Sequence, residues 1–92
     1  MPKKGIDNLA KEKLFAILAK VKGPEEIKIL LFDLLSSSEI KDIARRLLAA
    51  ELLFKGKTYE QINFDMGMGA ATINKINFKT KGSHLLSRLL SD

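Results

Sequence analysis

Small and polar residues lying close together in the chain have the chemistry to read the edges of DNA bases. An alanine methyl group can contact the methyl group of thymine, and an asparagine amide can form two hydrogen bonds with adenine in the major groove. Asn74 follows Ala70 and Ala71 at a spacing that could place all three on the first turns of one helix. Gly69 before them would let that helix approach the groove closely. We therefore predict that Ala70, Ala71 and Asn74 read bases.

A second set of residues has the chemistry to bind the DNA backbone. Lysine side chains neutralise phosphates without carrying sequence information. Hydroxyl groups and the free N–H groups at a helix start can hydrogen-bond phosphate oxygens. The predicted backbone contacts are Thr58, Tyr59, Gly69, Thr72, Lys75, Lys79 and Lys81.

Two short helices around a glycine turn would position these residues. Thr58 can cap a helix from residue 59 to about residue 66, Gly67 suits the turn, and a second helix would run from residue 70 to about residue 77. The inward apolar positions would be Ile62 in the first helix, and Ile73 and Ile76 in the second. The pattern predicts a helix-turn-helix over residues 58–78, although ordinary α-hairpins share its outline.

The preceding residues predict three longer helices. Asp7 can cap the first, and Gly23-Pro24 would end it and open the second. Ser36 and Glu39 have capping-box spacing at the start of the third. The third would run for roughly 18 residues, or ~27 Å, before Gly56 breaks it.

Strand-like alternation is absent from the sequence, so the predicted fold class is all-α with six helices. A polar linker and a final amphipathic helix follow the helix-turn-helix. We predict a single domain over residues 1–92, with dimerisation helices at 7–57, the helix-turn-helix at 58–78 and a C-terminal helix at 83–91.

Composition favours a basic dimer. The chain has 92 residues, 46% of them hydrophobic, and a net charge of +5. Because so small a domain buries only a modest core, a second copy could cover the surplus apolar surface. Residues 70–91 contain three Lys, one Arg and no carboxylate. This stretch could face phosphates, although charge alone equally fits a solvated basic face.

The sequence also argues against several functional classes. It has no Cys, which excludes disulfides and thiolate metal sites. It lacks grouped His residues, a phosphate-binding glycine loop and a carboxylate pair at catalytic spacing, so we predict neither an enzyme nor a metal site. No apolar run reaches the ~18 residues that span a bilayer. A secretory signal is not expected either, so the predicted location is cytoplasmic, without a membrane partner.

Three segments of the chain resemble the tryptophan repressor family, and above all its shorter members, the tryptophan-repressor-related proteins. They cover residues 34–40 followed by 44–47, residues 51–62 and residues 66–77. The third is the most specific, because Gly67, Gly69 and the run Ala71-Thr72-Ile73 are similar to the family's recognition-helix pattern Gly-x-Gly/Ser-x-Ala-Thr-Ile-x-Arg. The junction Lys57-Thr58-Tyr59-Glu60 looks more like the shorter members.

The resemblance implies an intertwined homodimer whose two recognition helices enter successive major grooves of near-palindromic double-stranded DNA. It implies base-reading roles for Ala70, Ala71 and Asn74. It also places Arg46 and Lys75 where the family has two arginines that sandwich a tryptophan corepressor. Ser36 would lie near the carboxylate and amine of that corepressor.

Two departures from the family pattern favour DNA binding without tryptophan. Lys75 stands in place of an arginine, and an ammonium group cannot stack flat on an indole ring as a guanidinium can. Ile76 stands where the repressor has a glycine, so its side chain would fill the slot. We predict a DNA-binding transcription regulator, a repressor, that needs no tryptophan. The alternative is a basic α-helical dimer that binds RNA or a protein partner without reading bases.

Overall fold

The computed structural model describes residues 1–91, so Asp92, the last residue of the predicted single domain, lies outside the described part. Over that part the chain forms six α-helices and no strand. They are α1 (Ile6–Leu18), α2 (Gly23–Leu34), α3 (Ser37–Phe54), α4 (Tyr59–Met66), α5 (Ala70–Thr80) and α6 (His84–Leu90). The all-α, six-helix prediction is confirmed.

The chain divides into two compact units, which meet in sequence between Ser36 and Ser37. The N-terminal unit holds α1 and α2, and the C-terminal unit holds α3 to α6. The single domain over residues 1–92 stays a prediction.

The N-terminal unit corrects two helix ends expected from the sequence. Gly5, not Asp7, precedes the first helical residue, and Asp7 lies in the first turn, where its negative charge still favours the helix dipole. Helix α1 ends at Leu18, before Gly23, because the N–H groups of Lys20 and Val21 bond three residues back and tighten the chain. Pro24 opens α2 as predicted.

Neither helix of this unit buries a side chain. Both α1 and α2 are without a buried residue, and large apolar side chains on each, such as Phe15 and Phe32, are more than 60% exposed. Two amphipathic helices that stay this open within one copy of the chain leave apolar surface for a further contact.

The hydrophobic core lies in the C-terminal unit, where α3 and α4 pack against α5. Helix α3 has 18 residues, as predicted, and contributes Ala49 and Ala50 to the core. The other buried residues are Ile62, Met68, Ile73 and Ile76. The three isoleucines are the inward positions that the sequence predicted. Small alanines on α3 allow the backbones of neighbouring helices to approach closely, which brings α5 against α3.

Helix α5 is longer than the sequence suggested. It continues to Thr80 instead of ending near Asn77, so Lys79 lies in its last turn and not in a linker. The Thr80 hydroxyl donates to the carbonyl oxygen of Ile76 at 2.7 Å, which accommodates threonine at the helix end. Lys79 is therefore held on the same rigid helix as the predicted base-reading residues.

Candidate nucleic-acid interface

Helix α4 begins at a complete capping box. The Thr58 hydroxyl oxygen accepts from the backbone N–H of Gln61 at 3.1 Å, and the Gln61 side chain accepts from the backbone N–H of Thr58 at 2.9 Å. The cap on Thr58 was predicted, but the reciprocal bond was not, although Thr-x-x-Gln is its sequence signal. A hydroxyl that accepts this bond keeps its own proton, so Thr58 can still donate to a phosphate.

The turn between α4 and α5 is stabilised by a left-handed glycine and by a side-chain hydrogen bond. Gly67 adopts a left-handed conformation with φ of 67°, and a Cβ built on it would meet no atom within 4 Å. The glycine is therefore needed for its backbone angle and not for space. The Asn63 side chain donates to the carbonyl oxygen of Met68 at 2.8 Å, which closes the turn.

Arg45 links the turn to the long helix α3. Its Nη2 donates to the carbonyl oxygen of Met66, the last residue of α4, at 2.6 Å. The residues are 21 positions apart, so no local sequence signal shows the bond. A guanidinium at the carbonyl end of a helix is electrostatically favourable, and this bond fixes α4 relative to α3.

Helix α5 presents two different faces. Ile73 is 0% exposed and Ile76 5% exposed, so both anchor the helix in the core. The opposite face is exposed: its first two turns carry Ala70, Ala71, Thr72, Asn74 and Lys75, and Phe78, 77% exposed, follows on it one turn after Asn74. Gly69 precedes the helix in an extended conformation and carries no side chain that could shield the first turn. The start of α5 is thus exposed in the chain, and its role in binding stays a prediction.

One hydrogen bond joins two predicted site residues from different helices. The Tyr59 hydroxyl, at the start of α4, donates to Oδ1 of Asn74 on α5 at 3.1 Å. Tyr59 is partly buried and packs against the core, whereas Asn74 is exposed. This contact was missed, because a separation of 15 residues leaves no pattern in the sequence. The Tyr59 proton predicted for a phosphate is engaged with Asn74 instead.

The lysines around α5 are uncompensated. Lys75, Lys79 and Lys81 are exposed, and none of the three forms an ion pair with any residue from 1 to 91. An ion pair between Lys55 and Glu51, at 3.8 Å, lies at the C-terminal end of α3. The charge of these three lysines is therefore available to an anionic partner.

Two of the predicted effector residues line the same hollow of the C-terminal unit. Arg46 and Lys75 line one hollow of about 570 Å³, together with Thr72, Ile76 and Lys79. Ser36 belongs to the N-terminal unit. Lys75 offers a compact ammonium instead of a second flat guanidinium. The buried Ile76 forms part of the wall where the repressor has a glycine. These residues do not fit the sandwich that would hold an indole ring.

Two features typical of other classes of protein are absent from the described residues. None of the helices from α1 to α6 combines the length and apolar character needed to cross a membrane. Residues 1–91 contain no group of three or more His, Cys, Asp or Glu side chains arranged to hold a metal ion.

The fold and the two faces of α5 define an α-helical protein with a helix-turn-helix. The chain belongs to the Trp repressor protein family, whose family model matches residues 10–84. It is also similar to the uncharacterized protein YerC of Bacillus subtilis (strain 168), with 34% identity over 65 residues. That alignment covers 71% of this chain and 62% of the relative, so the chain spans less than two thirds of the relative's length. No solved structure gives a significant match. The resemblance to this family is confirmed.

Proposed function

We propose that the chain is a sequence-specific DNA-binding regulator of transcription, a repressor, that acts as a homodimer and places α5 in the major groove. One observation carries this proposal: α5 is anchored in the core by Ile73 and Ile76, while the opposite face of its first two turns is exposed and has small and polar residues. A rigid helix with such a face fits the major groove, which admits an α-helix. The family supports the same function.

The base contacts would come from the first two turns of α5. Ala70 and Ala71 are exposed directly after Gly69, so they can reach the groove floor without steric hindrance. Their methyl groups suit the methyl group of thymine. Asn74 lies one turn further along and supplies the polar group that can distinguish base edges.

The backbone contacts would surround these positions. Thr58 caps α4 and can donate its hydroxyl proton to a phosphate. Gly69 and Thr72 lie at the start of α5, where N–H groups and a hydroxyl can bind a second phosphate. The lysines at positions 75, 79 and 81 would neutralise further phosphates.

Binding would not require tryptophan. By the resemblance, Lys75 and Ile76 replace an arginine and a glycine of the indole sandwich. Ile73 and Ile76 anchor α5 in the protein's own core. The helix would therefore be ready to bind DNA without a small molecule that orders it.

Dimerisation would use apolar surface that a single chain leaves open. The exposed apolar residues include Leu9 and Phe15 on α1, Phe32 on α2, and Ile43 and Leu47 on α3. A second copy is the occupant that the family supports.

Because folding of such a dimer depends on mass action, we expect the thermal unfolding midpoint to rise when the protein concentration is raised a hundredfold. A midpoint that is independent of concentration, together with a monomeric mass by sedimentation, would contradict the dimer.

The test of the proposed function is selection of bound sites from random double-stranded DNA at near-physiological salt, without added amino acids. We expect a two-fold symmetric site to be enriched. Replacing Asn74 with alanine should remove the preference at one base pair in each half-site, by about 1–3 kcal/mol, since a base contact is lost. Lys79→Ala is the matched control on the same helix, and it should weaken binding to all sequences alike.

The outcome separates the two candidate functions. If wild type enriches no sequence, or if both variants weaken every duplex equally, base reading is wrong. A basic dimer that binds RNA or a protein partner would then be the better description.

A further inference from the structure

We propose that Tyr59 determines the base preference of the recognition helix by fixing the orientation of the Asn74 side chain. The inference rests on the proposed function, because it concerns how α5 would read DNA. Tyr59 would be a positioning residue, which acts on the bases only through Asn74. The structural basis is the hydrogen bond from the Tyr59 hydroxyl to Oδ1 of Asn74 at 3.1 Å.

The tyrosine is the fixed partner of this pair. It is the first residue of α4, directly after the Thr58 capping box, and its side chain packs against the hydrophobic core. Asn74 is exposed. The terminal amide torsion of an asparagine is broad and roughly two-fold, so it turns easily unless a partner holds it. A hydroxyl positioned by core packing therefore sets the orientation of a mobile amide.

The orientation decides which group Asn74 offers to DNA. An asparagine amide carries an acceptor oxygen on one side and an NH₂ group with two donors on the other. Since the oxygen is directed to Tyr59, the NH₂ group is directed away from it. Asn74 would then approach a base mainly as a donor.

A donor selects base edges that accept. In the major groove guanine offers two acceptors, O6 and N7, whereas thymine offers one acceptor beside its methyl group, adenine combines one acceptor with a donor, and cytosine presents a donor. The two-bond contact with adenine expected from an isolated asparagine needs the amide oxygen as well as the NH₂ group. The bond from Tyr59 takes one of the two lone pairs of this oxygen and fixes its direction, so the oxygen is not free to turn with the NH₂ group toward adenine, and guanine becomes the preferred base opposite Asn74.

The same bond assigns the tyrosine proton. A phosphate oxygen can only accept, so the Tyr59 hydroxyl cannot donate to Asn74 and to a phosphate at once. Tyr59 therefore contributes to specificity and not to the general affinity for DNA. This separates it from Thr58, whose proton is not used by the cap.

The test is a double-mutant cycle with Tyr59→Phe, Asn74→Ala and the combined variant. Each protein would be measured against duplexes that carry the selected site or a single guanine-to-adenine change at the pair that depends on Asn74. Phenylalanine keeps the packing ring and removes only the hydroxyl, and thermal unfolding would verify that the fold is kept. We expect Tyr59→Phe to lower the preference for guanine over adenine about three- to tenfold, the scale of one hydrogen bond.

The remaining measurements of the double-mutant cycle test whether Tyr59 acts only through Asn74. Affinity for random duplex should not change in Tyr59→Phe, and the same substitution should have no effect on base preference when Asn74 is already alanine. Lower affinity for every duplex in both backgrounds would overturn the inference, because the hydroxyl would then contact a phosphate. A wild-type preference for adenine that Tyr59→Phe leaves unchanged would overturn it as well.

The two proposals fail in different ways. If wild type enriches no site at all, the proposed function fails and takes this inference with it. If wild type enriches a site whose Asn74-dependent base pair is insensitive to the Tyr59 hydroxyl, base reading by α5 stands and only the role of Tyr59 is lost.

Discussion

Replacing Ile73 with alanine is expected to lower the free energy of unfolding by about 2–5 kcal/mol, the range for truncating a fully buried isoleucine. Ile73 is 0% exposed and lies in the core between the helices of the C-terminal unit. Removing most of its side chain loses hydrophobic burial and leaves a cavity that the packed surroundings close only partly. Since stabilities of whole domains are ~5–15 kcal/mol, the loss is a large share of the total.

The matched control is the neighbouring residue on the outer face. Asn74→Ala removes an exposed side chain and its bond to Tyr59, so it should cost no more than about 1 kcal/mol. Denaturant unfolding followed by helical circular dichroism, at one protein concentration for all variants, measures both. Equal losses from the two substitutions would contradict the assignment of one face of α5 to the core and the other to a ligand.

The second large effect concerns the lysines. Replacing Lys75, Lys79 and Lys81 with glutamine should reduce the salt dependence of DNA binding, because each lost phosphate contact lowers the slope of log K against log salt by about 0.9. Three contacts give about 2.7 for one protomer and about 5.4 for a dimer. Between 50 and 200 mM salt, the affinity of wild type should therefore fall roughly 10³-fold more than that of the variant.

A matched variant separates local contacts from overall charge. Lys11, Lys13 and Lys20 are also exposed but lie in the N-terminal unit, and their replacement with glutamine changes the net charge by the same amount. Binding titrations at several salt concentrations would compare the two triple variants. If both lower the slope equally, the basic residues around α5 have no special role. If the slope changes by about 2.7 and not by about 5.4, a single protomer and not a dimer binds each DNA site.

Local signals in the sequence were enough to predict the helix-turn-helix. The cap at Thr58, the left-handed turn at Gly67 and the start of α5 at Ala70 are all where the residues indicated. Each depends on hydrogen bonds between residues no more than five positions apart, so the residues involved are neighbours in the chain. The inward positions Ile62, Ile73 and Ile76 follow from helical spacing in the same way.

Helix ends were less predictable where breakers and helix formers compete. The polar run after Asn77 resembles a linker, yet α5 continues to Thr80 because lysine is a good helix former and no glycine intervenes before Gly82. In α1 the opposite occurs, and the helix ends at Leu18, several residues before the first strong breaker at Gly23. Propensity alone does not decide such ends.

The sequence by itself determined the helices, the inward face of α5 and the residue types on its outer face, since these follow from local bonding and periodicity. Only the tertiary structure decided which of those residues are partners. Arg45 reaches Met66, and Tyr59 reaches Asn74, across 21 and 15 residues respectively. Both contacts depend on how closely α3, α4 and α5 pack, and that distance is set by side chains from all three helices together. The orientation of the Asn74 amide, and with it the proposed preference for guanine, is therefore a property of the packed core.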